Sequence, residues 1–209
     1  MQRIDAAADL DTLHGFEPLF SLVGTSTSAD IKANALWVLA SAFQHNPRAQ
    51  QKGTEKGAVE LLMNALASPS NGPAVTKKAL LATSALTRGH ADAMVRFVRG
   101  GGMEAAATAV LRAVYAPSSS SETQTQSDPS AAAATPQEPL SPPVMAVARL
   151  FLFYLATVID PTSDLLGVPP DSISLIGPLS AAVVATSARR GDADVKELAG
   201  KVVKTVVLS

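Results

Sequence analysis

The 209-residue chain contains no cysteine. That absence excludes disulfides, thiolate zinc sites and cysteine nucleophiles together, and it fits a reducing compartment. Aromatic residues are scarce at 4%, with a single tryptophan, Trp37. Charge of one sign is lacking as well: the net charge is −1, so nothing overall draws the chain to nucleic acid or to an anionic membrane. No stretch of about 18 uncharged apolar residues exists, so no membrane-spanning helix is expected. The first twenty residues, MQRIDAAADLDTLHGFEPLF, carry acids and no continuous apolar run, so they do not form a signal peptide. A cytoplasmic location follows if Met1 is the true start; a longer N-terminus would leave the endoplasmic reticulum lumen open. The three histidines, His14, His45 and His90, are scattered and gather with no acids in a metal-ligand pattern, so neither metal nor cofactor is expected.

Hydrophobic residues make up 47% of the chain, and many of them are alanine. Alanine loses no side-chain entropy on entering a helix and lets helices pack closely. The apolar residues also recur in a long period. GFEPLFSLV begins at Gly15, GAVELLMNAL at Gly57 and GMEAAATAVL at Gly102, which places Glu17, Glu60 and Glu104 43 and 44 residues apart. GPLSAAVVAT from Gly177 is a weaker fourth copy without the acid. Between these lies a second pattern: IKANALWVLASAFQ (31–44) matches VTKKALLATSALTR (75–88) through the pairs Ala35-Leu36 and Ala79-Leu80. AVARLFLFYLATVI (146–159) and VKELAGKVVKTVV (195–207) continue it. A period near 44 with two or three helices per unit predicts an all-α, armadillo-like right-handed solenoid of about four repeats, one domain over 1–209.

The third unit is interrupted. Residues 116–143, APSSSSETQTQSDPSAAAATPQEPLSPP, hold seven serines and six prolines among 28 residues. Such a segment buries too little apolar surface to offset its ordering entropy, and it reads as a disordered insertion within a repeat. Helix ends are expected at Asp30 as cap of the helix from Ile31, at Pro47 as its stop, at Thr76 as start of the equivalent helix and at Gly89 as its end. His45 and His90 fall at or beyond these ends, where a protonated imidazole would face a negative helix pole.

The helical period over 31–44 puts Ile31, Ala35, Val38, Leu39, Ala42 and Phe43 on one apolar face. Asn34, Trp37, Ser41 and Gln44 form an adjacent stripe. Shifting by the period gives Lys78, Leu81, Ala85 and Arg88, and alignment through Phe151 gives Ala148, Phe151, Leu155 and Val158. In a solenoid the last helix of each unit lines the concave side, so these stripes would form an amphipathic groove. Whether Trp37, Leu81 and Phe151 fill the core or face a partner stays open on periodicity alone. Tryptophan and arginine are nonetheless the residue types most enriched at interface hot spots. No nucleophile–base pair is present, and no strand pattern precedes Gly100-Gly101-Gly102, which reads as an inter-helix turn and not a phosphate cradle. The chain is not expected to be an enzyme.

Three strings carry a family resemblance: DLDTLHGFEPLFSLV (9–23), ALWVLASAFQHNPRAQ (35–50) and KALLATSALTRGH (78–90). They resemble the armadillo-type nucleotide exchange factors of the seventy-kilodalton heat-shock chaperones, the Fes, Hsp-seventy-binding-protein and Sil types. The family has an Ala-Trp-Val run followed by Gln-Asn-Asn-Pro, from which Gln44-His45-Asn46-Pro47 departs by one residue, and its Lys-Ala-Leu and Leu-x-Arg are met by Lys78-Ala79-Leu80 and Leu86-Thr87-Arg88. The resemblance is good over 9–100 and fades after 115. It implies a monomeric co-chaperone whose concave face grips one lobe of the chaperone's nucleotide-binding domain and speeds ADP release. By position, Trp37, Gln44 and Arg88 would sit on that face, with Asn34, Ser41, Lys78 and Phe151 beside them. The alternative is a general armadillo scaffold. Peptide-binding armadillos carry tryptophan arrays with asparagine four residues on, whereas here Ser41 takes that place and no second tryptophan follows.

Overall fold

The computed structural model describes residues 10–115, 142–159 and 178–208. Their regular secondary structure is all helix, with no strand among the described residues. The helices are α1 (Phe16–Thr25), α2 (Ala29–Phe43), α3 (Pro47–Glu55), α4 (Ala58–Ala67) and α5 (Pro73–Thr87). They are followed by α6 (Ala91–Arg99), α7 (Gly102–Tyr115), α8 (Pro142–Ile159), α9 (Pro178–Arg190) and α10 (Ala193–Leu208). Each repeated string of the sequence is one helix: the glycine-led strings are α1, α4, α7 and α9, and the second pattern is α2, α5, α8 and α10. Members of each set pack side by side in chain order. The result is two parallel rows of helices, as an all-α solenoid requires, with the short α3 and α6 at the turns.

The backbone repeats as the sequence does. His45 and Gly89, 44 residues apart, both take the left-handed conformation, with φ of 55° and 73°. The next residue in each case caps a short helix: Asn46 Oδ1 accepts the Ala49 N–H at 3.1 Å, and His90 Nδ1 accepts the Ala93 N–H at 3.2 Å. Gly57 and Gly101, again 44 apart, are left-handed at φ 89° and 79°. Pro47 occupies the first turn of α3, where its missing N–H costs nothing, so it starts a helix as well as ending one.

Several helix ends differ from expectation. The cap of α2 is Ser28, whose hydroxyl accepts the Ile31 N–H at 3.4 Å, and Asp30 lies in the first turn, where its charge suits the helix dipole. Helix α5 starts at Pro73, so Thr76 is an interior residue, 1% exposed. His90, expected beyond a helix C-terminus, instead caps the N-terminus of α6, where its Nδ1 accepts the Ala93 N–H. Of the insertion predicted at 116–143, residues 116–141 lie outside the described residues, and Pro142 and Pro143 belong to the first turn of α8.

The core runs between the two rows. Phe16 and Phe43, both fully buried, stack with ring centroids 5.9 Å apart, and Phe20 tilts against Phe16 at 5.8 Å. Gly53 faces this cluster: a Cβ there would lie 2.5 Å from Phe43 Cε1, so α3 reaches the ring only through a glycine. Leu36, Leu39, Leu62, Leu66 and Leu86 complete the interior, each stabilising the fold by roughly 1.5–3 kcal/mol through burial. Alanines at 79, 82, 106 and 107 set the close approach of the helices. The guanidinium of Arg112 donates to the carbonyl oxygens of Ala67 and Ser68, satisfying the C-terminal end of α4.

One face predicted as wholly apolar and inward is divided. Ala35, Leu39, Ala42 and Phe43 are buried, but Ile31 and Val38 are 45% and 44% exposed. Their counterparts one period on, Val75 and Ala82, are buried. Helix α5 has α2 on one flank and α8 on the other, whereas α2 is the first described member of its row. The full face needs a preceding helix to cover it.

Candidate functional site

A cleft of about 540 Å³ opens between the C-terminal halves of α2 and α5, with the start of α3 as its floor. Trp37, Ser41 and Gln44 line it from α2, and Leu81 and Arg88 from α5 and its end. With Ala85, also in the lining, the structure joins six of the residues singled out by periodicity in one concave surface. Asn34 is exposed one turn before Trp37 on α2, outside the lining. Lys78 sits at the edge of the cleft with its Nζ 3.3 Å from the centroid of the Trp37 ring, a cation–π pair joining the two helices.

Trp37 is 48% exposed, so it does not fill the core. Its shape is held by small neighbours: Ser41 donates its hydroxyl to the Trp37 carbonyl oxygen at 2.9 Å, which ties the serine side chain to its own helix and keeps the cleft open. Leu81 is half-buried beside it. Burial holds the Lys78 ammonium below the usual lysine range, and the neighbouring charge of Lys77 acts in the same direction. No aspartate or glutamate lines the cleft.

Phe151 belongs elsewhere. It is fully buried in the core, as is Ala148, and neither reaches the cleft. The reason is register. Helix α8 buries the pairs 147–148 and 151–152, as α5 buries 75–76 and 79–80. Phe151 thus occupies a core position of its helix, unlike the half-buried Leu81. The side chains of Leu155 and Val158, predicted in the same stripe, lie outside the described residues.

The residue that sequence reasoning missed is Gln50. It is 3% exposed on α3, and its Nε2 donates to the carbonyl oxygens of Ala85 at 2.7 Å and Arg88 at 3.0 Å. These carbonyls sit where α5 ends, so Gln50 fixes the segment that carries Arg88. Nothing local marks it, because PRAQQKGTE is mostly polar and only the tertiary approach of α5 distinguishes one glutamine from the next. His45, left-handed at the end of α2, also lines the cleft.

The model of the SIL1/FES1/HPBP1 C-terminal domain matches residues 6–121, more than half of the chain. The chain belongs to the SIL1/FES1/HPBP1 family. Among curated relatives it is similar to the nucleotide exchange factor SIL1 of Rattus norvegicus, 33% identical over 104 residues. Its similarity to the Mus musculus SIL1 is the same, 33% over 104 residues. These matches take in 50% of this chain but only 22% of each relative's length. No solved structure matches the chain. The SIL1/FES1/HPBP1 segment contains α1 through α7 whole, and with them every residue of the cleft; Phe151 falls beyond it. No helix among the described residues is long and apolar enough to cross a membrane.

Proposed function

We propose that this chain is a nucleotide exchange factor that binds the nucleotide-binding domain of a seventy-kilodalton heat-shock chaperone through the α2/α5 cleft and promotes release of ADP. The observation that carries the reading is the position of the cleft: a half-exposed tryptophan, a glutamine and an arginine face one concavity inside the SIL1/FES1/HPBP1 segment. Tryptophan and arginine at the centre of a concave patch are the anchors on which protein interfaces most depend. A specific grip buries on the order of 1,600 Å² in total, so the cleft is its centre and the flanking helices its rim.

The mechanism requires no covalent chemistry. A protein that binds one arrangement of the chaperone lobes better than another shifts the equilibrium toward it. If the favoured arrangement holds ADP poorly, ADP and the exchange factor weaken one another's binding by the same factor, about 5–150-fold for an ordinary coupling. The rigid two-row frame suits this role, because a docking surface that yielded to the partner would dissipate the difference between the two lobe arrangements.

Stopped-flow release of a fluorescent ADP tests the proposal, with cytosolic and endoplasmic-reticulum chaperones side by side. Micromolar protein is expected to accelerate release from at least one of them. Binding without acceleration would instead make the chain an armadillo scaffold, and absence of both would remove the chaperone from consideration.

A further inference from the structure

We propose that the surface seated in the α2/α5 cleft is an acidic protein patch and that Lys78 is the residue selecting it. The inference rests on reading this cleft as a docking surface and adds the chemistry of what docks. Lys78 holds its ammonium 3.3 Å over the ring of Trp37, beside Lys77. Three other lysines of the described surface meet carboxylates: Lys52 pairs with Glu55 at 2.8 Å, Lys56 with Glu17 at 2.7 Å and Lys201 with Glu197 at 2.8 Å. Neither Lys77 nor Lys78 has such a partner among the described residues, and the cleft that Lys78 borders contains Arg88 and no acid.

This arrangement discriminates by charge. Stacking on Trp37 already immobilises the Lys78 side chain and strips part of its water. A carboxylate arriving at the rim meets a prepositioned cation and compensates that desolvation. A basic or neutral surface of the same shape leaves Lys78 covered and unpaired, which is costly. Trp37 and Leu81 meanwhile take the apolar residues beside the acid. Nucleic acid, the other common polyanion, fits poorly: the chain's net charge is −1, and Lys77, Lys78 and Arg88 are too few to follow a phosphate backbone.

Trp37 is the only tryptophan, so its emission reports directly on cleft occupancy. Full-length protein is titrated with a peptide of alternating glutamate and leucine, with its lysine–leucine counterpart and with oligo-dT. Wild-type protein is expected to respond to the acidic peptide alone, and raising salt from about 0.05 to about 0.5 M is expected to weaken that binding by screening. Lys78→Gln is expected to bind the acidic peptide about five-fold more weakly and with less salt dependence, and Lys78→Arg to retain binding. Circular dichroism checks that both variants fold. Equal binding by Lys78→Gln and wild type, an equal response to the basic peptide or oligo-dT, or no response to the acidic peptide would overturn the inference. ADP release from the chaperone is measured separately. An exchange factor indifferent to Lys78 leaves the proposed function standing without the selectivity, and acid-selective binding without exchange does the reverse.

Discussion

Replacing Gln50 by leucine tests whether α3 holds the rim of the cleft in place. The amide is 3% exposed and donates to two carbonyl oxygens, of Ala85 at 2.7 Å and Arg88 at 3.0 Å. Leucine nearly matches the volume but donates nothing, at a helix end where those carbonyls depend on partners from outside the helix. Two hydrogen bonds at about 1 kcal/mol each, plus part of the desolvation of the abandoned carbonyls, give a loss of about 2–3 kcal/mol. For a chain of this size that corresponds to a fall in Tm of roughly 4–10 °C, read from the helical circular dichroism signal. Gln50→Glu separates hydrogen bonding from packing. A carboxylate there faces two carbonyl oxygens, so it is expected to destabilise more than leucine at pH 7. Burial and the carbonyls raise its folded-state pKa, so the extra penalty is absent below the ordinary glutamate range and grows as pH rises through it. Equal melting of Gln50→Leu and wild type would refute the clamp, and so would a glutamate variant no worse than the leucine one.

Trp37→Ala is expected to weaken chaperone binding by about 2 kcal/mol or more, roughly thirty-fold, with thermal stability nearly unchanged because the ring is half-exposed; titration calorimetry beside a melt distinguishes this from a core role. Gly53→Ala places a Cβ 2.5 Å from Phe43 Cε1 and is expected to cost about 1–3 kcal/mol in urea unfolding. The control, Gly24→Ala, meets nothing within 4 Å on α1 and is expected to stabilise by about 0.5–1 kcal/mol. The Lys56 ammonium, bonded to Glu17 at 2.7 Å, holds that carboxyl below its ordinary range. Its contribution is present above the usual glutamate pKa and is lost as pH falls through the depressed one, so urea midpoints from pH 6 to pH 3 are expected to drop less in Glu17→Gln than in wild type.

Much of the fold was legible because the repeat is written at two levels. The glycine-led strings and the Ala-Leu pairs mark the helices, and the 44-residue period recurs in the left-handed residues at 45 and 89 and at 57 and 101. What periodicity missed were features that depend on a residue's neighbours in space. Ser28 caps α2 although Asp30 is an equally competent cap by type, because its hydroxyl lies three residues before the first free N–H it meets. Ile31 and Val38 share a helical face with Leu39 but have no preceding helix of their row to cover them among the described residues, and amphipathicity does not count neighbours. Gln50 became a clamp only when α5 ended against it.

Trp37 and Phe151 show why an aromatic in a repeated helix cannot be assigned by type. Both are large and apolar, and both were aligned to one stripe. The ring of Phe151 is fully buried and that of Trp37 is 48% exposed. The difference is one of register: Phe151 belongs to a buried pair of α8, 151–152, whereas Trp37 stands between the buried pairs 35–36 and 39–40 of α2. Consecutive residues on a helix are about 100° apart, so a small change of register carries a side chain from the concave surface to the interior. Among the described residues, the groove expected across three units is lined by the first two. That smaller cleft coincides with the family segment, so the part of the chain that preserves the SIL1/FES1/HPBP1 pattern also holds the only tryptophan in an accessible position. The helices beyond residue 121 then touch the site indirectly: α8 packs against α5, on which Val75 and Ala82 are buried, while Leu81 and Arg88 line the cleft and Lys78 borders it.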